Sequence, residues 1–161
     1  MADEMTREQM RDEYLSRVAA LFDQAKAWTT QFDPKATFAE KRISIKEEPV
    51  ADYEATVLVI TRPDCKPVSL VPRGCWIIGA AGRVDMKSDL GTETLVYVLD
   101  GGPAIQFTLR TENGKILEEG KPRPFYKDVK KGWSLIQNRQ LGMLPTLDAD
   151  LFCRLLEVLG R

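Results

Sequence analysis

Arg83-Val84-Asp85-Met86-Lys87 and Thr94-Leu95-Val96-Tyr97-Val98-Leu99 are the two stretches that decide the fold class. The first alternates charged and apolar side chains, as a strand open to solvent on one face does. The second is apolar and largely β-branched throughout, the composition of a central strand. Only Ser88 to Glu93 separates them. A parallel crossover needs about a dozen residues or more, so the two strands run antiparallel. The same signals repeat to either side. Arg42 to Lys46 alternates, Ala55 to Ile60 reads as a second central strand, and Val68 to Val71 makes a short one interrupted by Pro72-Arg73-Gly74. Cys75 to Ile78 follows and is turned by Gly79-Ala80-Ala81-Gly82. Beyond Asp100-Gly101-Gly102-Pro103, Ile105 to Leu109 and Ile116-Leu117 flank Asn113-Gly114. Asn-Gly between apolar runs is the strongest short hairpin signal, because both residues accept positive φ. Trp133 to Ile136 closes the series.

Two segments switch to helical period. Met10, Tyr14, Val18, Leu21, Phe22, Ala25 and Trp28 recur in steps of three and four and draw one apolar stripe. Thr6 to Gln9 fits a capping box at its start, and Asp33-Pro34 stops the helix because the residue before proline avoids the α region. Near the other end Leu147, Leu151, Leu155 and Val158, with Phe152, Leu156 and Leu159 beside them, form a broad stripe. Thr146 is the expected N-cap there, with Asp148 and Asp150 in the first turn and Gly160 at the end. The expectation is an α+β fold in a single domain spanning 1–161. A helix over about 6–31, a mostly antiparallel sheet of roughly six to eight strands over 41–137, and a helix over 146–159 would fill it. No internal repeat or linker divides the chain.

The 161 residues include no His, three Cys, 23 Lys+Arg and 24 Asp+Glu. Without His there is no Ser-His-Asp or Cys-His nucleophile arrangement, no H-E-x-x-H zinc helix and no Cys₂His₂ finger within the chain. Cys65, Cys75 and Cys153 are far apart and contain no C-x-x-C pair. No cofactor fingerprint is present, and no metal or catalytic residue is assigned. The longest uncharged apolar run, Gly74 to Gly82, is about half of the ~20 residues a membrane helix needs. An odd cysteine count and a charged N-terminus lacking a secretory leader point to the cytoplasm. Cys153 reads as a small buried hydrophobe among Leu and Phe neighbours. Cys65, between Arg62 and Lys66 in a proline-flanked turn, is a candidate reactive thiol set against an incidental turn residue.

Charge is unevenly spread. Gly120 to Arg139 carries six basic residues and one acid, whereas residues 1–119 hold 15 bases and 20 acids. Lys121, Arg123, Phe125, Tyr126, Lys127, Lys130, Lys131 and Trp133 interleave cations with rings and form the first candidate interaction surface. Such a pattern suits single-stranded nucleic acid, whose phosphates follow cations and whose bases stack on rings. The sequence pI near 5.6 argues against that and for a solvated basic loop, or one facing an acidic protein. Arg83 and Asp85 share one strand face, and Arg73 could join them if the Pro72 turn folds back; this is the second candidate, a site for a small acid, set against a surface ion-pair ladder. The glycines of 74–82 match no phosphate-loop spacing, so they read as a tight turn.

These features lead to one expected function and two rivals. The first is a non-enzymatic module that binds another protein, as an adaptor, a chaperone-like factor or a toxin-neutralising partner. Large apolar groups near turns (Trp76, Phe125, Tyr126, Trp133, Met143) support it, since aromatics and Arg favour interfaces. The second is a small-molecule binder using a pocket between helix and curved sheet, and the third is a nucleic-acid binder through 120–139. A filled interior under the first helix would favour the interface reading, and an open polar pocket the ligand one. No membrane association is expected.

Overall fold

The computed structural model describes residues 7–47, 50–75, 81–98, 104–105, 108–110, 116–119, 123–124, 131–136 and 145–161. Helix α1 covers Arg7–Phe32 and helix α2 covers Ala149–Leu159. Between them come β1 (Thr37–Glu47), β2 (Val50–Thr61), β3 (Val68–Gly74), β4 (Arg83–Ser88), β5 (Gly91–Val98), β6 (Ala104–Ile105), β7 (Thr108–Arg110), β8 (Ile116–Glu119), β9 (Arg123–Pro124) and β10 (Gly132–Leu135). The main sheet has six strands in the order β1-β2-β3-β4-β5-β10, with every neighbouring pair antiparallel. The fold is thus α+β, with two helices bracketing an antiparallel sheet. Short connections dictate the sequential order from β1 to β5, because each strand folds back beside its predecessor, whereas β10 joins β5 only after 99–131.

The remaining strands nest inside the β5–β10 pair. Val98 lies opposite Gly132, Ile105 opposite Arg123 and Leu109 opposite Glu118, so successive pairs close in on the segment 111–115. Asn113-Gly114 itself lies outside the described residues, but β7 and β8 pair antiparallel across it.

Both helices and the sheet share one core. On α1, Tyr14, Val18, Leu21, Phe22 and Ala25 are buried, every one of them on the expected stripe. Beneath them lie Leu58, Ile60, Val68, Leu70, Val84, Met86 and Leu95 of the sheet, and α2 adds Phe152, Leu155, Leu156 and Leu159. Trp28 and Phe152 join the helices directly, ring centroids 5.5 Å apart. A cluster of buried apolar side chains lies under α1.

Several expectations are corrected. The N-cap of α2 is Asp148, whose carboxylate accepts from the Leu151 N–H at 2.8 Å. Thr146 instead bridges to Ser134 at the edge of β10. Val158 is exposed, because the Phe152 contact with Trp28 turns α2 so that Phe152, Leu155, Leu156 and Leu159 face inward. Gly160 ends the helix with φ −91°, not in the left-handed region. What it accommodates is close approach: a Cβ there would stand 2.9 Å from Arg62 Nη2. Arg62 donates to the Leu156 carbonyl at 3.3 Å, a cation at a helix C-terminus, and its guanidinium stacks on Phe32. Pro72-Arg73-Gly74 belongs to β3 and does not break it; the missing proline N–H is absorbed by a bulge between Pro72 and Gly74. Cys153 is half-buried, its thiol toward the Trp28 carbonyl. Of the strand expected over Cys75 to Ile78, Cys75 lies in a bend after β3; the rest of it, its turn at Gly79-Ala80 and the capping box at Thr6 lie outside the described residues.

Candidate functional site

The second face of the sheet brings Arg73, Asp85 and Arg83 together. Strand period places Asp85 and Arg83 side by side, and the β3 bulge delivers Arg73 from the neighbouring strand with no need for a turn. Arg83 donates from Nε to Asp85 Oδ1 at 2.8 Å and from Nη2 to Oδ2 at 3.2 Å. Arg73 donates from Nε to Oδ2 at 2.9 Å. The Asp85 side chain is only 3% exposed, while those of Arg73 and Arg83 are 53% and 35% exposed. One buried carboxylate between two guanidinium groups is fully paired, and the trio keeps one net positive charge.

The same two arginines are held from the core side. Tyr14, wholly buried on α1, donates its hydroxyl to the Arg83 carbonyl at 2.6 Å and accepts from the Arg73 and Gly74 N–H groups at 3.1 and 3.2 Å. Gly82 packs so close that a Cβ would meet the Tyr14 ring at 2.6 Å. A second polar cluster adjoins this one. Glu47 Oε2 accepts from the Tyr53 hydroxyl at 2.9 Å, the Cys75 N–H at 3.1 Å and the Cys75 thiol at 3.5 Å. Burial pushes the Tyr14 phenol well above its ordinary range, against the pull of the Gly74 and Arg73 amides. Burial and the hydrogen bond to Glu47 do the same for Tyr53. Burial first, and the Glu47 charge second, push the Cys75 thiol up to about 11. It is therefore a protonated thiol at neutral pH, a poor nucleophile.

These four residues did not stand out in the sequence. A signal existed for one of them: a tyrosine on a core stripe must find a hydrogen-bond partner for its hydroxyl. Glu47, Tyr53 and Cys75 come from separate strands and a bend, and nothing in their spacing announces convergence.

Of the basic and aromatic surface, Lys121, Phe125, Tyr126, Lys127 and Lys130 lie outside the described residues, as do Trp76 and Met143. Arg123 sits in β9, paired with Ile105. Lys131 is exposed, whereas Trp133 is buried and packs edge-on against Tyr97 at 5.5 Å. Arg17 lies 4.3 Å over the same tyrosine ring. Together these side chains border an open cavity of about 390 Å³ between α1 and β10. Cys65 is half-buried, and Arg62 beside it is committed to the end of α2.

A further feature is the free side of β1. Among the described residues no strand pairs with its outer edge, whereas the outer edge of β10 is covered by backbone bonds between Leu135 and Pro145 and between Leu147 and Trp133. Between α1 and the β1–β2 hairpin runs a groove of about 370 Å³. Its floor includes Leu15, Val18 and Phe22; Lys26, Glu40 and Arg42 line its rim.

Among the described residues no group of His, Cys, Asp and Glu is placed to hold a metal ion, and no helix is long and apolar enough to cross a membrane. Comparison with family models, with curated proteins and with solved structures finds no match.

Proposed function

We propose that this chain is a non-enzymatic protein-binding module that takes an extended segment of its partner against β1. The observation that carries the reading is the outer edge of β1 over Thr37–Glu47, unpaired among the described residues and running beside the groove floored by Leu15, Val18 and Phe22. An added strand gains main-chain hydrogen bonds along such an edge, and alternate side chains reach the groove to set specificity. The charged positions Glu40, Lys41, Arg42 and Lys46 keep the edge from pairing indiscriminately. The buried apolar cluster under α1, and a Cys75 thiol held protonated, support binding over chemistry. We place the module in the cytoplasm on its odd number of cysteines, which are all free.

The test is capture from source lysate, followed by hydrogen exchange on the complex. The reading expects slowed exchange of the β1 amides in the complex, and loss of capture by Ala19→Trp, which fills the groove from its exposed wall. Capture unaffected by Ala19→Trp, with protection elsewhere, would refute it. A small-molecule reading draws on the cavity lined by Trp28, Tyr97 and Trp133. A metabolite that quenches tryptophan emission and raises the melting temperature would favour that reading instead.

A further inference from the structure

The docking edge leaves the charged trio on the second sheet face unused. Asp85 is matched across the sheet by Val71 and Thr94, Lys87 by Ser69 and Thr92, and Arg83 by Val96. Directly paired residues share a face, so Asp85 is the only acid among these neighbours, and Lys87 adds a further cation. We propose that Arg73 and Arg83 form a binding site for an oxyanion, a carboxylate or phosphate group, with Asp85 as the buried anchor that aims both guanidinium groups.

The two guanidinium groups are only partly spent on Asp85. Arg73 commits only Nε to Asp85, at 2.9 Å. Its Nη1 and Nη2 have no partner among the described residues, and these two form the end-on fork that meets an oxyanion with two parallel hydrogen bonds. Arg83 commits Nε and Nη2 to the same carboxylate and leaves Nη1 without a partner among the described residues. Both backbones are fixed by the buried Tyr14 hydroxyl through bonds of 2.6 and 3.1 Å. Arginine side chains usually lose rotamer freedom on binding; here Asp85 on one side of the sheet and Tyr14 on the other have ordered them beforehand. A surface ion-pair ladder would satisfy its charges mutually, whereas this trio holds one cation in excess and keeps donors uncommitted among the described residues.

The site is separate from β1, so its test is independent of the docking proposal. Inorganic phosphate and acetate are titrated separately into the full chain at constant ionic strength, with chloride as the control salt. The arginine Nε–Hε correlations of a nitrogen-labelled sample are followed by NMR. The proposal expects the Arg73 and Arg83 signals to move together and to saturate with at least one of the two probes. The preferred probe distinguishes a planar from a tetrahedral ligand. Arg73→Lys keeps the charge, loses the fork and should weaken binding about tenfold. Asp85→Asn separates anchoring from attraction. It raises the net positive charge, so bare electrostatics expects tighter binding, whereas loss of the anchor expects weaker binding. No saturable movement up to tens of millimolar of either probe, movement that chloride reproduces, or undiminished affinity in Arg73→Lys would overturn the proposal. Should Asp85→Asn not fold, Arg73→Lys decides alone, since its side chain is more than half exposed.

Discussion

Replacing Tyr14 by Phe removes one oxygen and keeps the ring in place, which makes it a clean probe of how α1 is fastened to the sheet. The hydroxyl makes three hydrogen bonds, at 2.6 Å to the Arg83 carbonyl and at 3.1 and 3.2 Å from the Arg73 and Gly74 amides. A buried hydrogen bond contributes about 0.5–1.5 kcal/mol net, and more when its partners are stranded without water, so the loss should be about 2–4 kcal/mol. Against a total stability of about 5–15 kcal/mol this is a large fraction. For a chain of this length it corresponds to a melting temperature lower by roughly 5–15 °C. Ring rearrangement offers no relief, since Gly82 abuts the Tyr14 ring. The assay is urea unfolding followed by tryptophan emission. A lower midpoint with unchanged slope is expected, since the surface exposed on unfolding is the same. A loss below about 0.5 kcal/mol would refute the reasoning, because it would mean that the three backbone groups find other partners at no cost.

Three other outcomes follow from the same geometry. Cys75 keeps its proton when folded up to about pH 11, against 9.0 as its ordinary value. The unfolded chain therefore releases that proton first, so stability is complete below pH 9 and falls as pH rises through the window; Tyr14 and Tyr53 shift in the same direction. Urea midpoints measured from neutral to pH 11 should decline, and a flat profile counts against the buried cluster. Asp148→Ala removes the carboxylate that caps α2 and should cost about 1 kcal/mol, read by thermal melting; Thr146→Ala should not reproduce the loss of the cap. Phe152→Ala empties a fully buried site against Trp28 and should cost about 3–5 kcal/mol with altered tryptophan emission; a cost near that of an exposed residue would place α2 elsewhere.

Local chemistry explains which features could be read before the structure. The antiparallel sheet follows from turns too short for crossovers, and the α1 stripe from apolar residues at helical spacing, both of which are properties of contiguous segments. The pairing of Arg83 with Asp85 is legible for the same reason, since a period of two puts them on one face. Arg73 is harder, because its reach depends on how β3 passes Pro72, and proline reads as a break when it is accommodated by a bulge. Thr146 and Asp148 are both good caps by composition; the edge of β10 recruits Thr146 and leaves Asp148 to begin the helix. The phase of α2 escapes the pattern because a stripe this broad admits several rotations, and Trp28 of the other helix selects one. The convergence of Tyr14, Glu47, Tyr53 and Cys75 is purely tertiary.

The register that sets Val98 opposite Gly132 bears on how this chain can change over time. Antiparallel partners stand about 5 Å apart at their Cα atoms, a gap that a two-residue reverse turn spans. The whole of 99–131 therefore enters and leaves the sheet through a single doorway, and five of the six basic residues of 120–139 lie within that detour. On this register, a chain in which a two-residue turn replaces 99–131 should still close the β5–β10 ladder. The same doorway is where an engineer would graft a foreign peptide, because the two chain ends already stand side by side.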